Sequence, residues 1–285
     1  MRAGPNSLHQ GWQPSDDDNF DLLVEAYHRD VIDDGSSHIR HLFVAGKKVS
    51  GWSQILTDHP DILDRYDQVA FIDDDIETSA AAISRCFSVG QDWDLHIWQP
   101  ALSADSYVTY AASITNPDLD LRFCNYIEMM CPFFKSAELR RAAPLFTMGF
   151  ESGIDLIWCS LAEEAGGRCA IVDCCVVKHT RPVGELKHLN GFIGRTYESD
   201  IYECLDLFGV RWPSWVASGA VNRSGQTISS KLALTIHAAR PLLSLLSAPR
   251  GTRRYRLKAA MDHIRHQVTR PAYFGSNVTE KLAAL

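Results

Sequence analysis

Apolar residues recur along the chain at two spacings, one near two and one of three to four, and the switch between them outlines the elements. Residues 21–27 (DLLVEAY) and 38–45 (HIRHLFVA) predict strands. Over residues 47–66, Trp52, Ile55, Leu56, Ile62 and Leu63 fall at mixed three-to-four spacing and predict one or two short helices. An apolar run over residues 68–72 predicts a buried strand, and residues 78–88 an amphipathic helix. Leu95 to Trp98 predicts a short strand leading into a turn at residues 99–102, and residues 109–115 and 123–130 predict further strands. Residues 135–148 and 153–166 are helical in pattern, the second stopped by Gly166 and Gly167. Cys169 to Val177 predicts a buried strand, with a polar turn over residues 178–184.

Strands alternating with helices over residues 20–184 predict an α/β sandwich with a mostly parallel central sheet. Beyond residue 185 the pattern turns helical, over residues 196–208, 229–247 (interrupted by Pro241) and 250–270. Gly, Pro, Ser and Asp crowd residues 1–19 and predict a flexible leader. The organisation expected is therefore a leader over 1–19, one α/β domain over 20–195, and a helical extension over 196–285 packed on it. There is no internal repeat.

With 46% hydrophobic and 22% charged residues, the 285-residue chain has ordinary globular composition. Its net charge of −7 argues against a globally basic nucleic-acid binder. No apolar run approaches the ~20 residues that span a bilayer, and the first residues lack a secretory signal's apolar core. The expected location is cytoplasmic. The eight cysteines form no C-x-x-C pair and lie mostly among apolar residues, which predicts buried, reduced thiols.

Candidate chemistry begins where the strand over 68–72 runs into Asp73, Asp74 and Asp75. Ligands of open α/β sheets gather outside the carboxyl ends of strands. Three adjacent carboxylates repel unless water or a cation offsets them, and a hard divalent cation holding a diphosphate suits oxygen ligands. A solvated loop with Asp75 or Thr78 capping the next helix explains the same residues. Glu128 stands alone in an apolar segment, where an unpaired carboxylate is expensive. Glu151 and Asp155 flank glycines at a helix start, where Glu151 suits the helix dipole. Lys178, His179 and Arg181 follow a strand, a position from which His179 can reach a metal and the two cations a phosphate. The P-loop, the G-x-G-x-x-G fingerprint and the G-x-S-x-G elbow are all missing, which rules out a P-loop NTPase and argues against a dinucleotide-binding dehydrogenase and an α/β-hydrolase.

The motifs also fall in a recognisable order: Tyr66-Asp67 with Val69 to Ile76, Trp98 to Leu102, Tyr126 to Met130 with Pro132 and Phe134, Gly153-Ile154-Asp155, then Ile171-Val172-Asp173 with Val177 and His179. Over residues 45–184 this series resembles the family called domain of unknown function 707, which is similar to glycosyltransferases of the GT-A type. The resemblance implies a GT-A-like three-layer α/β/α sandwich, a nucleoside-diphosphate-sugar donor and a divalent metal, Mn²⁺ or Mg²⁺. It implies that Asp75 and His179 serve the metal and that Asp73 contacts the ribose or sugar; Asp73 as a further metal ligand, and Asp74, Lys178 and Arg181 at the donor, complete the expected site from the charges of the residues themselves. Asp155 becomes the leading catalytic base, with Glu128 second. The acid triplet is contiguous, and the base position reads Gly-Ile-Asp where a Glu-Asp pair is common.

The implied reaction moves a sugar to a hydroxyl of a carbohydrate or glycolipid acceptor, as in polysaccharide synthesis. A metal-dependent phosphohydrolase using the same acids stays open, as does a non-catalytic carbohydrate-binding protein on the same fold, with which seven tryptophans are compatible. Residues 250–270 carry seven Lys and Arg, with Leu257, Met261, Ile264 and Val268 along one side. That pattern fits peripheral contact with anionic lipid at the inner membrane face or docking on a partner, but it more often marks a packed helix with a solvated face.

Overall fold

A computed structural model describes residues 1–29, 39–182 and 196–285. His38, the end of the polar turn at 183–184 and the domain boundary at 195 lie outside the described residues. In chain order the elements are β1 (Arg2–Ala3), β2 (Leu22–Ala26), β3 (Ile39–Phe43), α1 (Lys48–Asp58), α2 (Ile62–Arg65), β4 (Gln68–Ala70), β5 (Ile76–Glu77) and α3 (Ala80–Asp92). There follow β6 (Ile97–Leu102), β7 (Leu119–Cys124), β8 (Phe133–Lys135), α4 (Ser136–Phe146), α5 (Trp158–Glu164) and β9 (Cys169–His179). The chain closes with α6 (Tyr197–Phe208), β10 (Ala217–Asn222), β11 (Thr227–Ile228), α7 (Lys231–Ala238), α8 (Arg253–Thr269) and α9 (Val278–Ala283).

Strands β1, β2 and β3 form a small parallel sheet. The leader is thus not flexible throughout. Arg2 and Ala3 pair with Glu25 and Ala26, Ala3 and Trp12 are fully buried, and the Arg2 guanidinium is paired with the buried Glu25 carboxylate. Few apolar residues in a polar segment suffice when each of them lands in the core.

The large sheet has the order β11-β10-β7-β9-β6-β8-β4, with β5 pairing the end of β9. It is mixed, not mostly parallel. Only β6 and β9 are parallel neighbours; β8 lies antiparallel between β4 and β6, and β7 runs antiparallel to both β9 and β10. The alternating pattern captured β4, β6 and β9, which share one direction. It missed β8, only three residues long, and β10, whose sequence ASGAVN lacks strand-like alternation. The C-terminal segment is accordingly not a purely helical extension, because β10 and β11 continue the sheet beside β7.

Strand β6 shows how the sheet is buried on both faces. Ile97 and Ala101 belong to one apolar cluster with Trp52, Leu139, Trp158 and Phe208; Trp98 and Leu102 belong to another with Val24, Ile83 and Val89. Residues 99–102 complete this strand and do not form a turn. Pro100 has no N–H to donate, and after it the pairing with β9 jumps from Pro100–Val172 to Ala101–Val176, a bulge that the missing donor tolerates. Residues 109–115 hold a 3₁₀ turn at Ala111–Ser113 in place of a strand, and the 153–166 pattern divides into a 3₁₀ turn at Ile154–Leu156 and α5. All eight cysteines are free thiols, buried except for the half-buried Cys174. Among the described residues no helix is long and apolar enough to cross a membrane.

Candidate functional site

The three acids leave the sheet just past β4, and each takes a different partner. The Asp74 carboxylate accepts from the Gly4 N–H at 2.9 Å and from the Tyr27 hydroxyl at 3.1 Å, and Arg181 lies 3.3 Å from its other oxygen. Asp74 therefore ties the N-terminal segment to the site. Asp73 accepts from the Lys48 ammonium at 2.6 Å. Desolvation lifts its pKa above the ordinary carboxylate range, with Lys48 pulling down and Asp75 pushing up. The helix that follows is capped by Ser79, whose Oγ accepts from the Ala82 N–H, and not by Asp75 or Thr78.

Asp75 meets His179 through the backbone. In the β5–β9 ladder Ile76 pairs with His179 and Glu77 with Lys178. The Thr180 N–H and hydroxyl both donate to the Asp75 carbonyl, at 3.0 and 2.8 Å. Asp75 thereby sits beside the imidazole, with His179 Nε2 3.3 Å from its Oδ2. His179 Nδ1 lies 2.9 Å from the Tyr107 carbonyl oxygen. A carbonyl only accepts, so Nδ1 carries a proton and Nε2 is left to face the carboxylate. That contact is favourable when Nε2 is also protonated, or when a cation stands between the two groups. Burial opposes the charge on both, but their mutual hydrogen bond and attraction outweigh it: the His179 pKa rises and the Asp75 pKa falls. Among the described residues the buried Asp75 Oδ1 has no hydrogen-bond partner.

Lys48 is the site residue that sequence reasoning missed. It opens α1, where a cation opposes the helix dipole. That unfavourable placement, after a second lysine at 47, was the available signal. Beyond Asp73, its charge reaches Asp75, Glu128 and Asp155. Glu151 offsets the helix end: its two oxygens accept from the Val49 and Ser50 N–H groups at 2.8 and 3.1 Å, and its own N–H donates to Asp200 on α6. It serves the dipole of α1, from far along the chain, and not that of the helix following it. Glu151→Ala should cost about 1 kcal/mol of stability, the usual value of an N-cap, read as a shifted urea midpoint; an unchanged midpoint would show α1 to be held by packing alone.

Asp155 is set by Gly153, whose φ of +94° favours glycine and whose added Cβ would lie 2.9 Å from Ile201 Cα. The Asp155 carboxylate accepts from the Tyr126 hydroxyl at 2.7 Å. Burial raises its pKa while this bond pulls it down. Glu128 donates its N–H to Gln99 Oε1 at 2.7 Å, yet its Oε1 and the Gln99 Nε2 are both buried and without a hydrogen-bond partner among the described residues. Burial, followed by the Asp155 charge, pushes Glu128 up to about 8. In the unfolded chain it titrates near 4.5, so its contribution to stability is complete below that pH and is lost as pH rises toward 8. Without metal, Glu128→Gln should melt like the parent at pH 4 and distinctly higher at pH 8. A parallel pair of melting curves across that range would refute the buried neutral acid.

Of the residues expected at the site, Asp73 and Asp75 interact with each other and with His179, Glu128 interacts with Asp155 and His179, and the charge of Lys48 reaches all four acids. Arg181 stands at the rim, held by Asp74 and the Asn6 carbonyl. Lys178 is not brought in: it alternates with His179 along β9 and pairs with Asp105 at 2.8 Å. Asp173 is also structural, locked to Arg122 by bonds of 2.7 and 2.9 Å. Among the described residues no three His, Cys, Asp or Glu side chains form a ready-made metal cluster. No family model matches the chain, and no curated protein sequence matches it.

Proposed function

We propose that the chain is a metal-dependent glycosyltransferase on a GT-A-like scaffold, moving a sugar from a nucleoside diphosphate to a hydroxyl. The observation that carries this reading is the pair Asp75–His179. An imidazole oriented through Nδ1 and a half-buried carboxylate with an orphaned oxygen offer mixed nitrogen and oxygen donors, which suit Mn²⁺ better than the oxygen-seeking Mg²⁺. Asp75 and His179 would hold the cation, with diphosphate and water oxygens as its other donors. Bound there, it would neutralise charge on the leaving diphosphate.

The remaining roles fall to the chain's own groups. Lys48 sits on Asp73 and can turn its ammonium to a phosphate, leaving Asp73 to a ribose or sugar hydroxyl. Arg181, at the rim, can meet a second phosphate oxygen. Burial raises the pKa of both remaining acids, so their contacts distinguish them. Glu128, neutral at pH 7, suits hydrogen-bond donation. Asp155, steadied by Tyr126, suits the proton of the acceptor hydroxyl.

The test is a melting-temperature screen of the protein against nucleoside diphosphates with and without Mn²⁺. A ligand that binds only the folded form raises stability by mass action, so a rise that needs both metal and diphosphate is expected. No rise with any base would remove the reading. Sugar released equally well without an acceptor would favour hydrolysis over transfer.

A further inference from the structure

The basic helix at the C-terminal end packs the other way round from its sequence pattern. The side of α8 turned to the protein body carries Arg256, Ala260, His263 and Gln267, all buried. The Arg256 guanidinium donates to the Ala104 and Ser106 carbonyls, and the Gln267 amide exchanges two 2.9 Å bonds with the backbone of Ala217. Leu257, Met261 and Val268, about 100° round the helix, are left exposed.

They are not isolated. The neighbouring α7 exposes Leu232 and Ile236, one turn apart, at 72% and 65%; the 3₁₀ turn at Arg240–Ser247 exposes Leu243 and Leu246, also one turn apart, at 71% and 82%. Such values describe side chains that project outward, not ones that line a groove. Scattered single apolar residues are ordinary on a surface, but stripes on three packed helices are not. Over residues 229–270 the chain has nine Lys and Arg against one acid, Asp262, although its overall charge is −7. Lys231, Arg250, Arg254 and Lys258 are exposed and have no ion-pair partner among the described residues.

We propose that this face docks on an anionic lipid surface, the leucines entering the acyl boundary and the cations pairing with headgroup phosphates. Three features select that occupant. Projecting apolar side chains need no matching pocket in an acyl layer. The dense positive charge complements anionic headgroups. The same charge opposes a two-fold dimer through this face, which would set cation against cation. The inference does not depend on the sugar-transfer reading.

The experiment is flotation of the whole protein with vesicles of phosphatidylethanolamine and phosphatidylglycerol, beside vesicles of phosphatidylcholine alone. Binding to the anionic vesicles only, weakening as salt is raised, is expected. The double variants Leu243→Asp/Leu246→Asp and Arg250→Glu/Arg254→Glu should each lower partitioning at least about tenfold. All four side chains are exposed, so the parent's melting temperature should persist and serve as the folding control. Absence of binding, or equal binding to both kinds of vesicle, overturns the proposal. So does a concentration-dependent dimer in light scattering that the leucine variants abolish, since the face would then belong to a second copy.

Discussion

Asp75→Asn should abolish the proposed sugar transfer and remove the expected joint effect of Mn²⁺ and diphosphate on melting, while the protein stays folded. Asn keeps the shape and the backbone carbonyl that anchors Thr180; what it loses is the charge facing His179. Outer-shell partners of a metal ligand are already worth about 10–100-fold in affinity, so a direct ligand should cost about 100-fold or more. A second readout requires neither metal nor substrate. The charge and hydrogen bond of Asp75 hold up the His179 pKa, so a histidine titration by NMR should find it lowered in the variant. A His179 that titrates unchanged would mean that the two groups are not coupled.

The same pair sets a pH window. His179 has a folded pKa above its ordinary 6.5, so its contribution is complete below that value and fades as pH rises through the folded one. Asp75 has a folded pKa below 3.8, so its contribution is present above that value and fades as pH falls through the folded one. The pair therefore stabilises most between these two ordinary values. A cation binding there must displace the Nε2 proton, so its affinity should increase with pH.

Arg122→Ala should be the most destabilising of the changes considered, at about 3–5 kcal/mol, the cost of stranding one half of a buried ion pair. Asp173 is fully buried and would keep only the Asn116 N–H, at 2.7 Å. The Ala112 and Ile114 carbonyls, which Arg122 now satisfies at 2.7 and 3.0 Å, would also be stranded. Urea unfolding measures the loss directly. The double variant Arg122→Met/Asp173→Leu should recover much of it, because neither charge is then left alone. A loss below about 1 kcal/mol in the single variant, typical of an exposed pair, would show that water reaches Asp173.

Most elements of residues 20–180 were legible because they bury an apolar side at a clear period. The run into β4, the helix α3 and the strand β9 are of this kind. Strand β8 was not legible: at three residues it is shorter than any window in which a period can be counted. The burial of the leader is illegible for the opposite reason, since composition averages over the few residues, Ala3 and Trp12, that are buried in the core. On α8 the apolar stripe is legible in the sequence, but the buried side is polar because Arg256 and Gln267 find backbone partners there.

By itself the sequence determined that acids follow a buried strand, that a histidine follows another, and that Glu128 stands in apolar surroundings needing explanation. These are local facts, carried by side-chain identity and spacing. Tertiary structure alone decided that Asp75 faces His179, that Lys48 is the shared counter-charge, and that Lys178 points elsewhere. The reason is physical: backbone ladders such as β5–β9 pair N–H with C=O whatever the side chains are, so their register is settled by the packing of the whole chain.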